Sequence, residues 1–292
     1  MLDCIYHSSS KSVFLRTPAK LNLYLNISGK RKDGYHNICS IIERIALFDD
    51  LRLVLNNTKK VRLFCNIKEL NNPSNLAFRA CELFRRSYKI TEGVDIFLNK
   101  NIPPGAGLGG ASSNCAGVLL GLSKLFKLEL SLNQLYRLGE KLGSDVNFFL
   151  RGISFALALG RGEKIYPLEG GFKINHLLIL PNFSSSTAKV YKAYNLNLTT
   201  SIDNAKLIIY SLKKKDKAFL EKLIFNALTK PFLKVYPEGR EIFEIISRRE
   251  DYSFSLTGSG SAVFLLYKQK LGGKIYKSLK KLGVKFLQVS TF

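Results

Sequence analysis

With 292 residues the chain has room for two domains or one large one, and for a substantial buried core. Apolar residues make up 46% and charged residues 23%, which excludes a disordered chain. The formal charge of +23 is dispersed in short runs (213–215, 248–249, 280–281), so it reads as solvated surface with no nucleic-acid partner, and no apolar stretch approaches the ~18–20 residues of a membrane span.

Met1 to Ser12 lacks an apolar signal core and carries Asp3, so the expected location is cytoplasmic. Residues 12–16 and 20–27 alternate apolar and polar, the second as Lys-Leu-Asn-Leu-Tyr-Leu-Asn-Ile, which predicts strand with one buried face. Leu21, Leu23 and Leu25 supply that face. Lys20 and Asn22 share the opposite one, which reads as an exposed strand face or as the lining of a cleft. A charged turn covers 30–34, and 37–48 is apolar with mixed period, so its type stays open. Residues 49–55 and 61–66 predict paired strands. A helix is expected over 74–86, with Leu76, Ala80, Leu83 and Phe84 on one face, and a strand over 94–98.

Residues 103–116, Pro-Pro-Gly-Ala-Gly-Leu-Gly-Gly-Ala-Ser-Ser-Asn-Cys-Ala, form a glycine loop that feeds a helix over 116–125. Gly105, Gly107, Gly109 and Gly110 tolerate positive φ and close approach, and Ser112, Ser113 and Asn114 are good helix caps. Unpaired N–H groups and the helix dipole favour an anion there, which points to a nucleotide phosphate. The loop is not a P-loop, because Ala111 stands at that pattern's lysine position. Gly105, Gly107 and Gly110 formally meet the dinucleotide pattern. That pattern needs an acid closing a strand about 20 residues on, and Glu129 follows a run that reads as helix.

Ser131-Leu-Asn-Gln134 matches a capping box ahead of Leu135, Leu138 and Leu142, and Gly143 ends that helix. In Gly143-Ser-Asp145-Val-Asn147 the spacing makes Asp145 a helix N-cap; a helix N-terminus also favours the charge a proton acceptor requires. Strand is predicted over 153–159 and 176–180, with a turn at 160–163. Helices are predicted over 189–194, 205–212, 218–228 and 238–248. A second glycine turn, Thr257-Gly-Ser-Gly-Ser261, separates strands over 253–256 and 262–266, before a helix over 273–282 and a strand over 285–289. Strands and helices mix without β-α alternation, so the fold class is α+β, with a domain boundary expected near 166–172. The five cysteines, Cys4, Cys39, Cys65, Cys81 and Cys115, show neither C-x-x-C pairs nor metal-ligand spacing, and read as reduced thiols with no metal site.

Three of these segments resemble the signatures of the GHMP small-molecule kinases: Pro18-Ala-Lys-Leu-Asn22, Pro104-Gly-Ala-Gly-Leu-Gly-Gly-Ala-Ser-Ser113 and Leu256-Thr-Gly-Ser-Gly-Ser261. The longer string from Pro18 to Asp33-Gly-Tyr35-His36 is more discriminating. Together with Asn75-Leu76, Gly143-Ser-Asp-Val146 and Gly160-Arg-Gly-Glu163, it is similar to the branch that phosphorylates cytidine-diphosphate-linked methylerythritol in the non-mevalonate isoprenoid pathway. The resemblance covers residues 14–290 and implies a two-domain architecture. A ribosomal-protein-like α+β domain (1–166) would bind ATP, a ferredoxin-like α+β domain (167–292) would follow, and the active site would lie in the cleft between them.

The same resemblance implies a phosphotransferase using ATP and Mg²⁺ without dedicated metal ligands, acting as a monomer or weak homodimer on a small-molecule substrate. Asp145 would accept the C2 hydroxyl proton and Lys20 would orient this pair and stabilise the alkoxide. Pro104, Gly105, Ala106, Gly107, Leu108, Gly109, Gly110, Ala111, Ser112 and Ser113 would cradle the triphosphate, with Asn75 and Lys100 at the adenosine. Asn22 would bond the erythritol part, and Tyr35, His36 and Tyr191, with Thr187 nearby, would hold the cytosine; Gly258 is also expected at the substrate. The chain departs from the branch at Asn147 (commonly Pro), Ala111 (commonly Gly) and Asn114 (often Asp), and its segment 197–216 has no counterpart.

Overall fold

The computed structural model describes residues 5–195, 203–248, 253–266 and 273–292, so Cys4 and part of the 197–216 segment lie outside the described residues. The first elements are β1 (Ile5–Ser8), β2 (Ser12–Lys30), β3 (His36–Asn56), β4 (Val61–Cys65), α1 (Leu76–Ser87), β5 (Gly93–Asn99), α2 (Gly110–Leu125), α3 (Leu132–Leu142) and α4 (Val146–Arg151). There follow β6 (Phe155–Gly160), β7 (Lys164–Pro167), β8 (Asn175–Leu180), α5 (Thr187–Lys192), α6 (Asp203–Lys214), α7 (Lys217–Leu223) and β9 (Phe225–Asn226). The last are α8 (Thr229–Val235), α9 (Gly239–Ser247), β10 (Phe254–Leu256), β11 (Val263–Leu266), α10 (Gly273–Lys281) and β12 (Lys285–Ser290). The mixture is the α+β class that the pattern predicts.

Two compact units share this chain: 1–19, 47–102 and 109–153 in one, 20–46, 103–108 and 154–292 in the other. In the first, the stretch of β3 from Asp50 pairs antiparallel with β5, and β5 pairs parallel with β4. The expected pairing of 49–55 with 61–66 is therefore corrected: β5 lies between the two strands. Gly93 shows why β5 fits there. A Cβ on it would stand 2.1 Å from Asn56 Oδ1 and 2.8 Å from the Lys60 backbone, so only glycine lets the β3–β4 turn close over the start of β5. Asn56 Nδ2 then bridges to Lys60 O (3.1 Å) and Asp95 Oδ1 (2.5 Å).

Helix α2 lies close to the sheet of this unit because Gly117 and Gly121, one turn apart, face it. Added Cβ atoms would meet Thr17 Cγ2 at 2.5 Å and Leu53 Cδ1 at 2.6 Å. Helix α1 buries Ala77, Ala80, Cys81 and Phe84, so Leu76 and Leu83 flank the apolar stripe instead of forming it. The capping box on α3 forms as its sequence predicts, with Ser131 and Gln134 bonding each other's backbone and Gly143 at the C-cap.

In the second unit the stretch of β3 from Ile38 to Glu43 pairs with β6, and β6 with β7. A separate four-stranded sheet runs in the order β10-β11-β8-β12, with all neighbours antiparallel. Val190, Phe232, Ile242, Ile246 and Leu279 from its helices pack with Leu177, Ile179, Val263 and Leu265 from its strands. The helix predicted over 218–228 ends at Leu223, because Phe225 and Asn226 pair with Tyr24 and Leu25 of β2. Helix α8 was not anticipated. Its Pro231 sits in the first turn, where a missing N–H costs nothing. Glu43 and His176, both fully buried, meet at 2.8 Å, and Thr291 donates to the other Glu43 oxygen at 2.5 Å.

Candidate active site

The glycine loop is built by its carbonyls. Gly105 O accepts from Ser185 N (2.9 Å), Ala106 O from Ala262 N (3.1 Å), Gly107 O from Thr257 Oγ1 (3.3 Å) and Leu108 O from Lys20 N (2.9 Å). Gly109 O then accepts from Ser113 N (3.0 Å) in the first turn of α2. With its oxygens occupied, each peptide turns its N–H the other way. Among the described residues the N–H groups from Ala106 to Ser112 have no hydrogen-bond acceptor, and those from Gly109 to Ser112 are free donors at the N-terminus of α2. Gly105, Gly107 and Gly109 take φ of +67°, +77° and +72°. A Cβ on Gly107 would stand 2.1 Å from Thr257 O, so the loop's course requires that glycine. Ala111 is exposed on the first turn of α2, which explains why a side chain is tolerated there.

In the first unit, Gly143 packs toward this turn: its added Cβ would stand 3.7 Å from Ser112 Oγ. Asp145 follows at the N-cap of α4, and its side chain makes no hydrogen bond to the N–H groups of that helix. It has the position of a cap without the cap's bond. Asn147 is buried and reaches Glu140 at 3.5 Å. Beside the loop, Lys100 forms a buried ion pair with Asp49 and donates to Asn114 Oδ1 at 3.0 Å. Asp49 also accepts from the N–H groups of Asn101 (2.7 Å) and Ile102 (2.8 Å) and from Asn114 Nδ2 (2.9 Å). Lys100 thus joins the chain before the loop to the helix after it. Asn75 caps α1 through Ala77 N (2.9 Å) and donates to Leu70 O (2.9 Å).

Lys20 and Asn22, in the second unit, are buried, so the strand face they share is not an exposed one. Lys20 Nζ donates to Asn22 Oδ1 at 2.5 Å, and that oxygen also accepts from Gly258 N at 2.9 Å. Asn22 Nδ2 donates to Ser40 Oγ at 2.8 Å, and Asn22 N to Thr257 Oγ1 at 3.2 Å. Gly258, at φ +55°, would bring a Cβ to 3.2 Å from Lys20 Nζ. Asn22 is therefore the hub that orients Lys20 against the second glycine turn. Ser40 and Asn226, which fixes Leu256 O and Gly258 O at 2.8 Å each, are site-building residues that sequence reasoning missed. Thr257 opens the second glycine turn that the sequence already marks.

Tyr35 is 54% exposed, with the Arg161 guanidinium 4.9 Å from its ring centroid, a contact that no sequence signal announced. His36 lies 5.3 Å from Tyr191 and edge-on to Tyr194 at 6.1 Å. The His36 and Tyr191 rings thus pack on each other, tilted by 38°. Burial, and then the charge of Lys30, lower the His36 pKa below the ordinary histidine value. Thr187 Oγ1 bonds Ser259 Oγ at 2.9 Å.

This chain matches the GHMP kinases N terminal domain over residues 75–152 and the GHMP kinases C terminal family over 208–285. It is 36% identical over 267 residues to 4-diphosphocytidyl-2-C-methyl-D-erythritol kinase of Prochlorococcus marinus (strain MIT 9301), covering 87% of this chain and 85% of that protein. The like-named protein of Alkaliphilus metalliredigens (strain QYMF) is 34% identical, with 95% of each chain covered. A solved structure of 4-(cytidine 5'-diphospho)-2C-methyl-D-erythritol kinase superposes with a TM-score of 0.75 at 30% identity, covering 96% of this chain and 99% of that one. Homoserine kinase from Cytophaga hutchinsonii, at 15% identity and a TM-score of 0.68, shares the fold alone. Matched in both family domains and aligned nearly end to end with relatives of one name, the chain belongs to the GHMP kinases, within the 4-diphosphocytidyl-2-C-methyl-D-erythritol kinase family.

Proposed function

We propose that the protein transfers the γ-phosphoryl group of ATP to the C2 hydroxyl of 4-diphosphocytidyl-2-C-methyl-D-erythritol, giving the 2-phosphate for isoprenoid precursor synthesis. As a GHMP kinase it is an ATP-dependent phosphotransferase. The observation that carries the reading is the run of N–H groups from Gly109 to Ser112 left without acceptors at the N-terminus of α2, toward which Gly143 of the Gly143-Ser-Asp145 turn packs in the same unit. Phosphoryl transfer asks little covalent chemistry of a protein. It asks for alignment of donor and acceptor and for stabilisation of charge spread over the transferring oxygens.

In this reading Asp145 accepts the hydroxyl proton as the oxygen attacks. Lys20, oriented by Asn22, stabilises the developing alkoxide charge. The remaining Nδ2 hydrogen of Asn22 serves the erythritol hydroxyls. Neutral His36 offers both a donor and an acceptor to the cytosine edge, and the rings of Tyr35 and Tyr191 offer stacking faces. Asn75 and Lys100 belong to the adenosine side of the same proposal; Lys100 holds the loop entrance through Asp49 and Asn114.

For Mg²⁺ the described residues contain no cluster of three or more His, Cys, Asp or Glu, and Asp49 is committed to Lys100. Ser113 Oγ, buried without a partner at the loop's end, is the hard-oxygen ligand on offer, which fits a cation carried in by the nucleotide. When bound, the ion would supply positive charge that offsets the charge developing on the transferring phosphate. We also retain the division into an ATP-binding part (1–166) and a C-terminal part (167–292), and a cytoplasmic monomer or weak homodimer. Among the described residues no helix is long and apolar enough to cross a membrane.

Asp145→Asn is expected to lower kcat by roughly 10²–10⁴ while the protein stays folded. Coupled ATP-consumption assays with the cytidyl substrate, homoserine and mevalonate test both parts. Near-wild-type turnover in the variant removes Asp145 from the mechanism, and preference for either other alcohol removes the substrate.

A further inference from the structure

The turn between β6 and β7, Gly160-Arg-Gly-Glu163, has no part in the reaction described above, yet its geometry is closely specified. Gly160 and Gly162 take φ of +72° and +110°. Glu163 Oε2 accepts the Arg161 N–H at 2.6 Å, and a Cβ on Gly160 would stand 2.8 Å from that residue's carboxylate. These constraints fix where the Arg161 side chain starts. Its guanidinium carbon comes to 4.9 Å from the centroid of the Tyr35 ring, within cation–π range.

The turn that carries Tyr35 is equally specified. Arg31 N donates to Tyr35 O at 2.7 Å, and Gly34 takes φ +85°. Asp33 Oδ1 accepts the Tyr35 N–H at 3.1 Å, and its carboxylate takes the Arg31 Nε at 3.1 and 3.3 Å. Slight desolvation pushes the Asp33 pKa up, but the hydrogen bonds of Tyr35 and Arg31 and the charges of Arg31 and Arg161 outweigh it and hold the group below the ordinary range. The Tyr35 backbone is thus anchored while its ring, 54% exposed, has little packing of its own.

We propose that Arg161 is a positioning residue for the cytidyl group, its guanidinium covering one face of Tyr35 so that the ring stands ready to stack a pyrimidine on the other. The inference rests on the reading of Tyr35 as a stacking face. Guanidinium, ring and base then form three parallel layers, an arrangement that the planar side chain of arginine suits and a lysine ammonium does not. Ordering the exposed ring before binding removes part of the entropy cost that the substrate otherwise meets.

Steady-state kinetics on single and paired variants of the full chain test this. Arg161→Ala is expected to raise KM for the cytidyl substrate about two- to fivefold, the range of an exposed cation–π contact, with kcat and KM for ATP unchanged. Arg161→Lys should recover only part of the loss. Tyr35→Ala should raise the same KM, and adding Arg161→Ala to it should change nothing further. Four results overturn the proposal: an equal Arg161→Ala effect in the Tyr35→Ala background, a fall in kcat with the thermal midpoint, full recovery by lysine, or no effect where Tyr35→Ala alone has one. A Tyr35→Ala variant with unchanged KM refutes instead the stacking role of Tyr35, and this inference with it.

Discussion

His36 illustrates how much of a residue's behaviour is set by its surroundings. Its ring is packed against Tyr191 and Tyr194, and its pKa lies below the usual histidine value through burial first and the charge of Lys30 second. The neutral ring therefore prevails at pH 7, and protons compete only as the pH falls through the lowered value. If neutral His36 reads the cytosine edge, KM for the cytidyl substrate is flat above neutrality and rises on acidification below the ordinary histidine range, while KM for ATP does not follow. A pH series settles it: an inflection above that range, or one that survives in His36→Gln, contradicts the role. Cysteines show the same dependence on environment. Burial pushes Cys81 up to about 12 and Cys115 upward as well, which makes the thiol beside the glycine loop an inert core residue. Asp145 marks the limit of reading residues from spacing. An N-cap position was evident, but that its carboxylate leaves the helix N–H groups alone emerged only in three dimensions.

At the scale of elements, Asn114 belongs to a node built by the Asp49 carboxylate on the adjoining strand. Asp49 gathers Lys100, Asn114 and the N–H groups of Asn101 and Ile102 around a fully buried side chain. Asp49→Ala leaves the Lys100 ammonium buried without its counter-ion, and is expected to cost about 3–5 kcal/mol in urea unfolding. A loss below about 1 kcal/mol would show that the node is not holding the loop entrance. Elements governed by neighbours in sequence were legible in advance: the α3 capping box, the alternation of β2 and the glycine loop running into α2. Those governed by distant partners were not. The β3–β4 turn resembles a hairpin, yet its strands are separated by β5, which arrives some 30 residues later over Gly93. Residues 225–226 read as helix until β2 offers them a strand partner.

For the whole molecule, 45 basic against 22 acidic residues surround an enzyme whose proposed substrates are both polyanions. Such a field raises the encounter rate with nucleotides, and salt screens it over about 8–10 Å. We expect kcat/KM for ATP to fall several-fold between roughly 50 and 300 mM KCl with kcat little changed. A salt-independent kcat/KM would leave the charge without a part in substrate capture. From the order of residues alone came the α+β class, the anion-binding nature of the loop and the family resemblance. These depend on short-range spacing, positive φ and helix capping, which act within a few positions of the chain. Tertiary structure decided what the loop can offer. Its N–H groups stay available because Lys20, Ser185, Thr257 and Ala262 take its carbonyls, and each of the four is more than seventy positions away. It likewise brought Asp49 to Lys100 and Arg161 to Tyr35, pairings that exist only once the strands close, since hydrogen bonds and ring contacts depend on position in space and not on distance along the chain.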